Sequence, residues 1–338
     1  TWTTLTQVIG GVAIGYDVQM LRNGADNTIY LLGGSTDNRN FQSYSISANT
    51  WTALAIVPVI SYTGTQIIRN GADDTIYLAA GYFSTNFYSY SISVNTWTTL
   101  AAIPIRLSYG AQMIRNGADN TIYLTSGEAG GSFQSYSISA NTWTTLAAVP
   151  GAVYLGAQMI RNGADDTIYL ARGGNASSNG FYSYSISANT WTTLAVVPGL
   201  VGAGAQMIRN SSDNTIYLAA GNGDTGFYSY SISANTWTGS TVSNLTAVPG
   251  TVNDGAKMIR NGQDNTIYLA RANASNGFYS YSISGNTWTT LAVVPGIVGS
   301  ELQMIRNGGD NTIYLARGNT TTGFYSYSIS GNTWTTLA

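Results

Sequence analysis

The 338 residues carry only 28 charges, 8% of the chain, with a net charge of −2, against about a quarter charged in ordinary soluble domains. That balance supplies no Lys and Arg cluster for nucleic-acid phosphates. The absence of His and Cys removes zinc and blue-copper sites, thiol nucleophiles, Ser-His-Asp triads and imidazole bases. Hydrophobic residues make up 44%, enough for a large core, and no run approaches the ~20 apolar residues of a spanning helix, so membrane insertion is not expected.

The chain opens on TWTTL, with Trp2, Thr3, Thr4 and Leu5, and begins with Thr1 without a visible signal peptide; processing or a longer parent chain is expected. Three further segments then follow in a fixed order. The first ends at Arg22, the second is TIYL around Tyr30, and the third is FQSYSIS around Tyr44, before the tryptophan segment returns at Trp51. The set repeats to the end of the chain, with tryptophans at Trp97, Trp143, Trp191, Trp237, Trp288 and Trp334, spaced 46 to 51 residues apart. Each segment is short, β-branched or aromatic, and bounded by Gly, Asn, Asp or Ser, the signature of a strand. The links NGADN and SANT read as hairpin turns, with Asn-Gly and Ala-Asn tolerating positive φ. Four antiparallel strands per unit, repeated seven times, predict an all-β, seven-bladed β-propeller in a single domain, 1–338, with the seven repeats over about 15–338.

TIYLLGG at Thr28–Gly34, the SYS around Tyr44 and NTW at Asn49–Trp51 stand in the order of the Kelch repeat, which the whole chain resembles. The first glycine of the family's pair survives only as Gly33, the second becomes Ala272 in one copy, and the family's Asp after Tyr is Ser45 and its equivalents. The resemblance implies a propeller and a habit of binding; it specifies no ligand.

Seven complete sets leave TWTTL at the amino end as an eighth copy of the outermost strand. It can add a fifth strand to the last blade, take the fourth place there in exchange for Asn332–Ala338, or mark a longer array. It can also complete the edge of a neighbouring molecule by donor-strand complementation. Trp2, Thr3, Thr4, Leu5 and Trp334 are therefore the candidate assembly strands. These edges carry no Lys or Pro to blunt them, and a head-to-tail exchange builds filaments unless its rotation closes.

Each Arg that ends a first strand precedes an Asp by four residues, as in Arg22/Asp26 and Arg69/Asp73, and an ion pair across the hairpin is expected. The series Gln19, Gln66, Gln112, Gln158, Gln206 and Gln303, broken by Lys257, predicts a polar channel lining. The two kinds of hairpin turn hardly vary. The second-to-third-strand loops and the interblade linkers do vary, and they share the opposite face. That face offers Tyr16, Tyr62, Tyr82, Phe83, Arg106, Tyr109, Glu128 and Tyr154 as a candidate ligand surface. Sequons at Asn175, Asn210, Asn244, Asn273 and Asn319 are candidate glycosylation sites.

With Glu128 and Glu301 the only Glu and Lys257 the only Lys, acid–base machinery is sparse; no enzyme and no cofactor are expected. Two functions fit: an extracellular or cell-surface structural or adhesive subunit that self-associates through a terminal strand, and a recognition module binding glycan or peptide on the variable face.

Overall fold

A computed structural model describes residues 18–23, 27–33, 39–118, 120–127, 130–163, 166–174, 179–239, 245–262, 264–272, 275–309, 311–318 and 323–337. It contains twenty-eight strands in seven four-stranded antiparallel sheets, each built from consecutive strands. The first blade is β1 (Gln19–Asn23), β2 (Thr28–Leu32), β3 (Phe41–Ser45) and β4 (Thr50–Ala53). The second is β5 (Gln66–Asn70), β6 (Thr75–Ala79), β7 (Phe87–Ser91) and β8 (Thr96–Thr99), and the third is β9 (Gln112–Asn116), β10 (Thr121–Thr125), β11 (Phe133–Ser137) and β12 (Thr142–Thr145). Three more blades follow over 158–193, 206–239 and 257–290. The last is β25 (Gln303–Asn307), β26 (Thr312–Ala316), β27 (Phe324–Ser328) and β28 (Thr333–Thr336). The all-β, seven-bladed propeller is thus as the repeat predicts. Innermost strands of neighbouring blades pack side by side all the way round, β25 against β1 included. Among the described residues there is no helix, hence none long and apolar enough to cross a membrane.

β28 supplies the fourth place of the last blade itself, so the exchange of Asn332–Ala338 for Thr1–Leu5 is not the arrangement in this molecule. Trp334 is seated there: its indole N–H donates to the Ala292 carbonyl at 2.8 Å and its ring lies 5.0 Å from Phe278. Trp2, Thr3, Thr4 and Leu5 lie outside the described residues.

The core lies between blades. A Phe that opens the third strand of one blade meets a Tyr and a Trp of the next. Phe181 stands 4.8 Å from Tyr230 and 4.9 Å from Trp237, and Phe87 lies 4.8 Å from Tyr136 and 4.9 Å from Trp143. The ring closes by the same contact, with Phe324 4.9 Å from both Tyr44 and Trp51. Edge-on geometry of this kind adds about 0.5–1.5 kcal/mol per pair beyond area burial.

The outer turns staple each blade to the linker before it. Trp143 Nε1 donates to the Ala101 carbonyl at 2.9 Å, while Asn141 Oδ1 accepts from the Ala101 N–H at 2.9 Å and from the Tyr136 hydroxyl at 2.8 Å. Asn141 holds φ 51°, a left-handed conformation that Asn tolerates. Asn141→Ala removes the single Oδ1 that accepts both hydrogen bonds and keeps an unfavourable φ; it should destabilise the fold by roughly 2–3 kcal/mol in urea titrations. Asn141→Gly should lose about 1 kcal/mol less, because glycine accepts that φ.

Both hairpin registers refine the turn reading. In NGADN the positive φ falls on the last residue, Asn120 at 57° or Asp74 at 55°, and not on the glycine, since neither Gly71 nor Gly117 has positive φ. That residue carries the side chain the Arg reaches. Arg69 pairs with Asp74 at 2.6 Å and Arg161 with Asp166 at 2.7 Å, five residues on. In the other copies the partner is a neutral Asn, as in Arg115 to Asn120 Oδ1 at 3.0 Å. The expected pairing four residues on is therefore corrected. Asp73 instead caps its own turn, accepting from the Thr75 N–H at 3.1 Å. Asp26, Asp119, Asp165 and Asp310 lie outside the described residues.

Candidate functional site

The second-to-third-strand loops and the interblade linkers meet on one face, joined by isolated bridges such as Ser84 to Leu107 and Gly130 to Val153. The loop after β6 is the unusual one. Gly81 is hemmed in by the Thr63 and Thr65 backbone, and Tyr82 and Phe83 follow at φ 54° and 59°. Among the described residues every other non-glycine at positive φ is Asn or Asp. The equivalent loop of the fifth blade has Asn222 and Gly223 at φ 56° and 78°, residues suited to that conformation. Bulky aromatics there are genuine outliers, at about 1–2 kcal/mol each.

The backbone is pinned in that shape. Phe83 N–H donates to the Leu107 carbonyl at 2.6 Å, and Tyr82 N–H donates to Thr63 at 3.1 Å. Both rings therefore point away from the core, with Tyr82 58% and Phe83 47% exposed. Tyr62 packs on Tyr82 at 4.8 Å, and Phe83 lies 5.9 Å from Tyr82. Arg106 joins the group, since it and Phe83 line one surface cavity of about 350 Å³. Four of the candidate residues are thus brought together. Tyr109 and Tyr154 stand exposed on the two following linkers and make no ring contact among the described residues. Tyr16 and Glu128 lie outside the described residues.

A second cavity, about 170 Å³, occupies the mouth of the central channel, lined by the six Gln of the series together with Lys257, Asp254 and Glu301. Polar lining is as expected, but the amides also tie the wall. Gln158 Nε2 donates to the Ala157 carbonyl at 3.0 Å while its Oε1 accepts from Met207 N–H of the next blade at 3.3 Å. Lys257 cannot accept in that way. Burial pushes its ammonium pKa down, partly offset by Glu301 and Asp254. The association of Lys257 with Glu301 was not read from the sequence, although the scarcity of Lys and Glu was a usable signal.

Of the sequons, Asn210 is fully buried at the end of an inner strand and its Oδ1 accepts from the Ser212 N–H at 3.2 Å, so the folded protein does not present it for glycosylation. Asn175, Asn244, Asn273 and Asn319 lie outside the described residues. Among the described residues no three acidic side chains cluster as a metal site.

No protein-family model matches the sequence, and no curated protein does either. Solved structures do match in shape. A chain of the mitotic checkpoint complex shares 12% identity over 99% of this chain and 90% of its own length, with a TM-score of 0.67. A protein from Lactobacillus plantarum shares 13% identity over 92% of this chain and 95% of its own, also at 0.67. These likenesses show the propeller fold.

Two measurable consequences follow from the local chemistry. Replacing Tyr82 by Asn and Phe83 by Gly together should raise unfolding stability by about 1–2 kcal/mol in urea titration, because the strain goes and little burial is lost. The seven core tyrosines equivalent to Tyr136 are pushed up to about 12 by burial. Unfolded tyrosines ionise near 10, so the unfolded state binds fewer protons above that pH. Stability should be flat through neutrality and fall between about pH 10 and pH 12, with tyrosinate absorbance and loss of β circular dichroism rising together.

Proposed function

We propose that this chain is a non-enzymatic, extracellular recognition propeller that binds glycan on its variable-loop face, on a Kelch-like scaffold. The observation that carries the reading is the pair Tyr82 and Phe83: adjacent aromatics, exposed, on backbone that favours Asn-Gly. Local strain retained at an exposed aromatic pair is the pattern of a binding surface. Flat rings with few rotatable bonds contact a sugar face at low entropic cost. The largely uncharged, hydroxyl-rich composition suits a neutral polyol partner. In a glycan and peptide screen, Tyr82→Ala should weaken the best glycan roughly three- to tenfold, the worth of one aromatic contact. A screen with no glycan bound, or binding indifferent to both Tyr82→Ala and Tyr154→Ala, defeats this reading.

A second reading is compatible with the first: an extracellular structural or adhesive subunit assembled by exchange of a terminal strand. Its support is a count, since twenty-eight strands already fill seven blades and Thr1–Leu5 is one outer-strand copy over that number. The outer strands, TWTT in β28, offer uncharged edges. Deletion of Thr1–Leu5 should leave only single rings in negative-stain electron microscopy. Polymers that survive the deletion eliminate strand exchange.

A further inference from the structure

We infer that Lys257, at the mouth of the central channel, is a carbonyl-capture site whose amine forms a reversible imine with a short hydroxyaldehyde. Two departures from the sevenfold repeat meet there. Lys257 holds the place at which the inner strands of the other six blades carry Gln. Glu301, on the linker of the next blade, holds the place of Gly64, Gly110, Gly156, Gly204 and Gly255. The remaining copy of that position, Asp17, lies outside the described residues. Gly255 packs directly on the Ser300 backbone, which sets the Glu301 linker against the segment leading into Lys257. The chain's only Lys and one of its two Glu thus stand on adjacent blades around one cavity.

The amine is reachable and unengaged. Lys257 is half-buried, and its Nζ is not one of the enclosed side-chain nitrogens that lack a partner. It makes no hydrogen bond or ion pair among the described residues, so the amine opens onto the cavity that its side chain lines. A partly buried cation of purely structural use ends in a partner, as Arg69 and Arg161 do. The residue of the repeat would also serve the wall better. Gln206 Nε2 donates to the Ala205 carbonyl at 2.9 Å, and its Oε1 accepts from Met258 N–H of the next blade at 3.3 Å. Lys257 gives up that acceptor. Burial lowers the ammonium pKa by more than Glu301 and Asp254 raise it, which enriches the neutral, nucleophilic form.

The neutral amine gives its lone pair to the aldehyde carbon, and a C–N bond forms as the carbonyl π pair moves onto oxygen. One N–H proton passes to that oxygen. The other leaves with the resulting hydroxyl as water, and the C=N bond closes. One amine and one aldehyde give one imine and one water, with no change of oxidation state, and water reverses the step. The Glu301 carboxyl lines the same cavity and is the group that carries these protons. The cavity of about 170 Å³ equals the volume share of about five or six waters, so the partner is small. Ser300 and the Gln amides in its wall suit a chain that bears hydroxyls.

The test incubates the whole chain with glycolaldehyde and sodium cyanoborohydride at neutral pH, with acetyl-lysine in the same tube as reference, and locates the reduced adduct by peptide mass mapping. Lys257 should be modified at least about tenfold faster than the reference, a modest part of the roughly 10²–10⁴-fold typical of positioned proton transfer. In urea that excess should vanish, because it belongs to the folded cavity. Without cyanoborohydride, dilution should return the unmodified mass. Glu301→Gly, which installs the residue of five other blades, should slow capture by about fivefold while the unfolding midpoint holds. Tyr82→Ala should leave capture unchanged, which separates this result from the glycan reading. A Lys257 rate equal to the reference, an excess that survives urea, an adduct that dilution does not reverse, or capture untouched by Glu301→Gly overturns the inference.

Discussion

The fold depends on one contact made seven times: a Phe from one blade inserted edge-on between a Tyr and a Trp of the next. A four-stranded sheet of this length has two faces to bury and cannot do so alone. Wedge-shaped stacking around an axis buries both, and the aromatic triad sets the spacing. Because the contact between Phe324 and the pair Tyr44 and Trp51 matches those between successive blades, the ring closes through side-chain packing. No blade mixes the described strands of the two ends.

Polar groups in this core are handled by the same repetition. The Tyr hydroxyl and the linker N–H share one Asn acceptor, and the indole N–H takes the linker carbonyl, so each aromatic buries its body while its polar tip is satisfied at the blade edge. The cost appears as left-handed backbone at Asn in every described outer turn. Asn and Asp carry that conformation throughout, which is why the two aromatics at Tyr82 and Phe83 stand apart. They break a local rule that the rest of the molecule obeys.

Symmetry also makes departures visible inside the channel. Six Gln amides are tied to backbone groups or seat themselves along the wall, and the seventh place holds the chain's only Lys, opposed by Glu301 and Asp254. On the outer face the departures concentrate at the junction of the second and third blades. Arg106 is added to the linker there, beside Phe83.

The period of the tryptophans, the four β segments per unit and the absence of His and Cys were enough to set architecture, blade number and the face that varies. Each is a property of local sequence: alternation, turn residues and spacing act over a few neighbours, and seven copies average out the noise. Side-chain partners were legible only in part. Arg69 bonds Asp74 and not Asp73 because a left-handed residue at the turn's end re-aims its side chain. Asn210 lies inside the fold because it ends an inner strand, a fact its sequon does not encode. The cavity beside Phe83 and Arg106 needed the third dimension altogether. Its walls come from two blades and a linker, brought together only once the ring is assembled. Sequence thus determined the repeating unit; tertiary packing decided which polar groups pair, which are buried and which side chains meet across a junction.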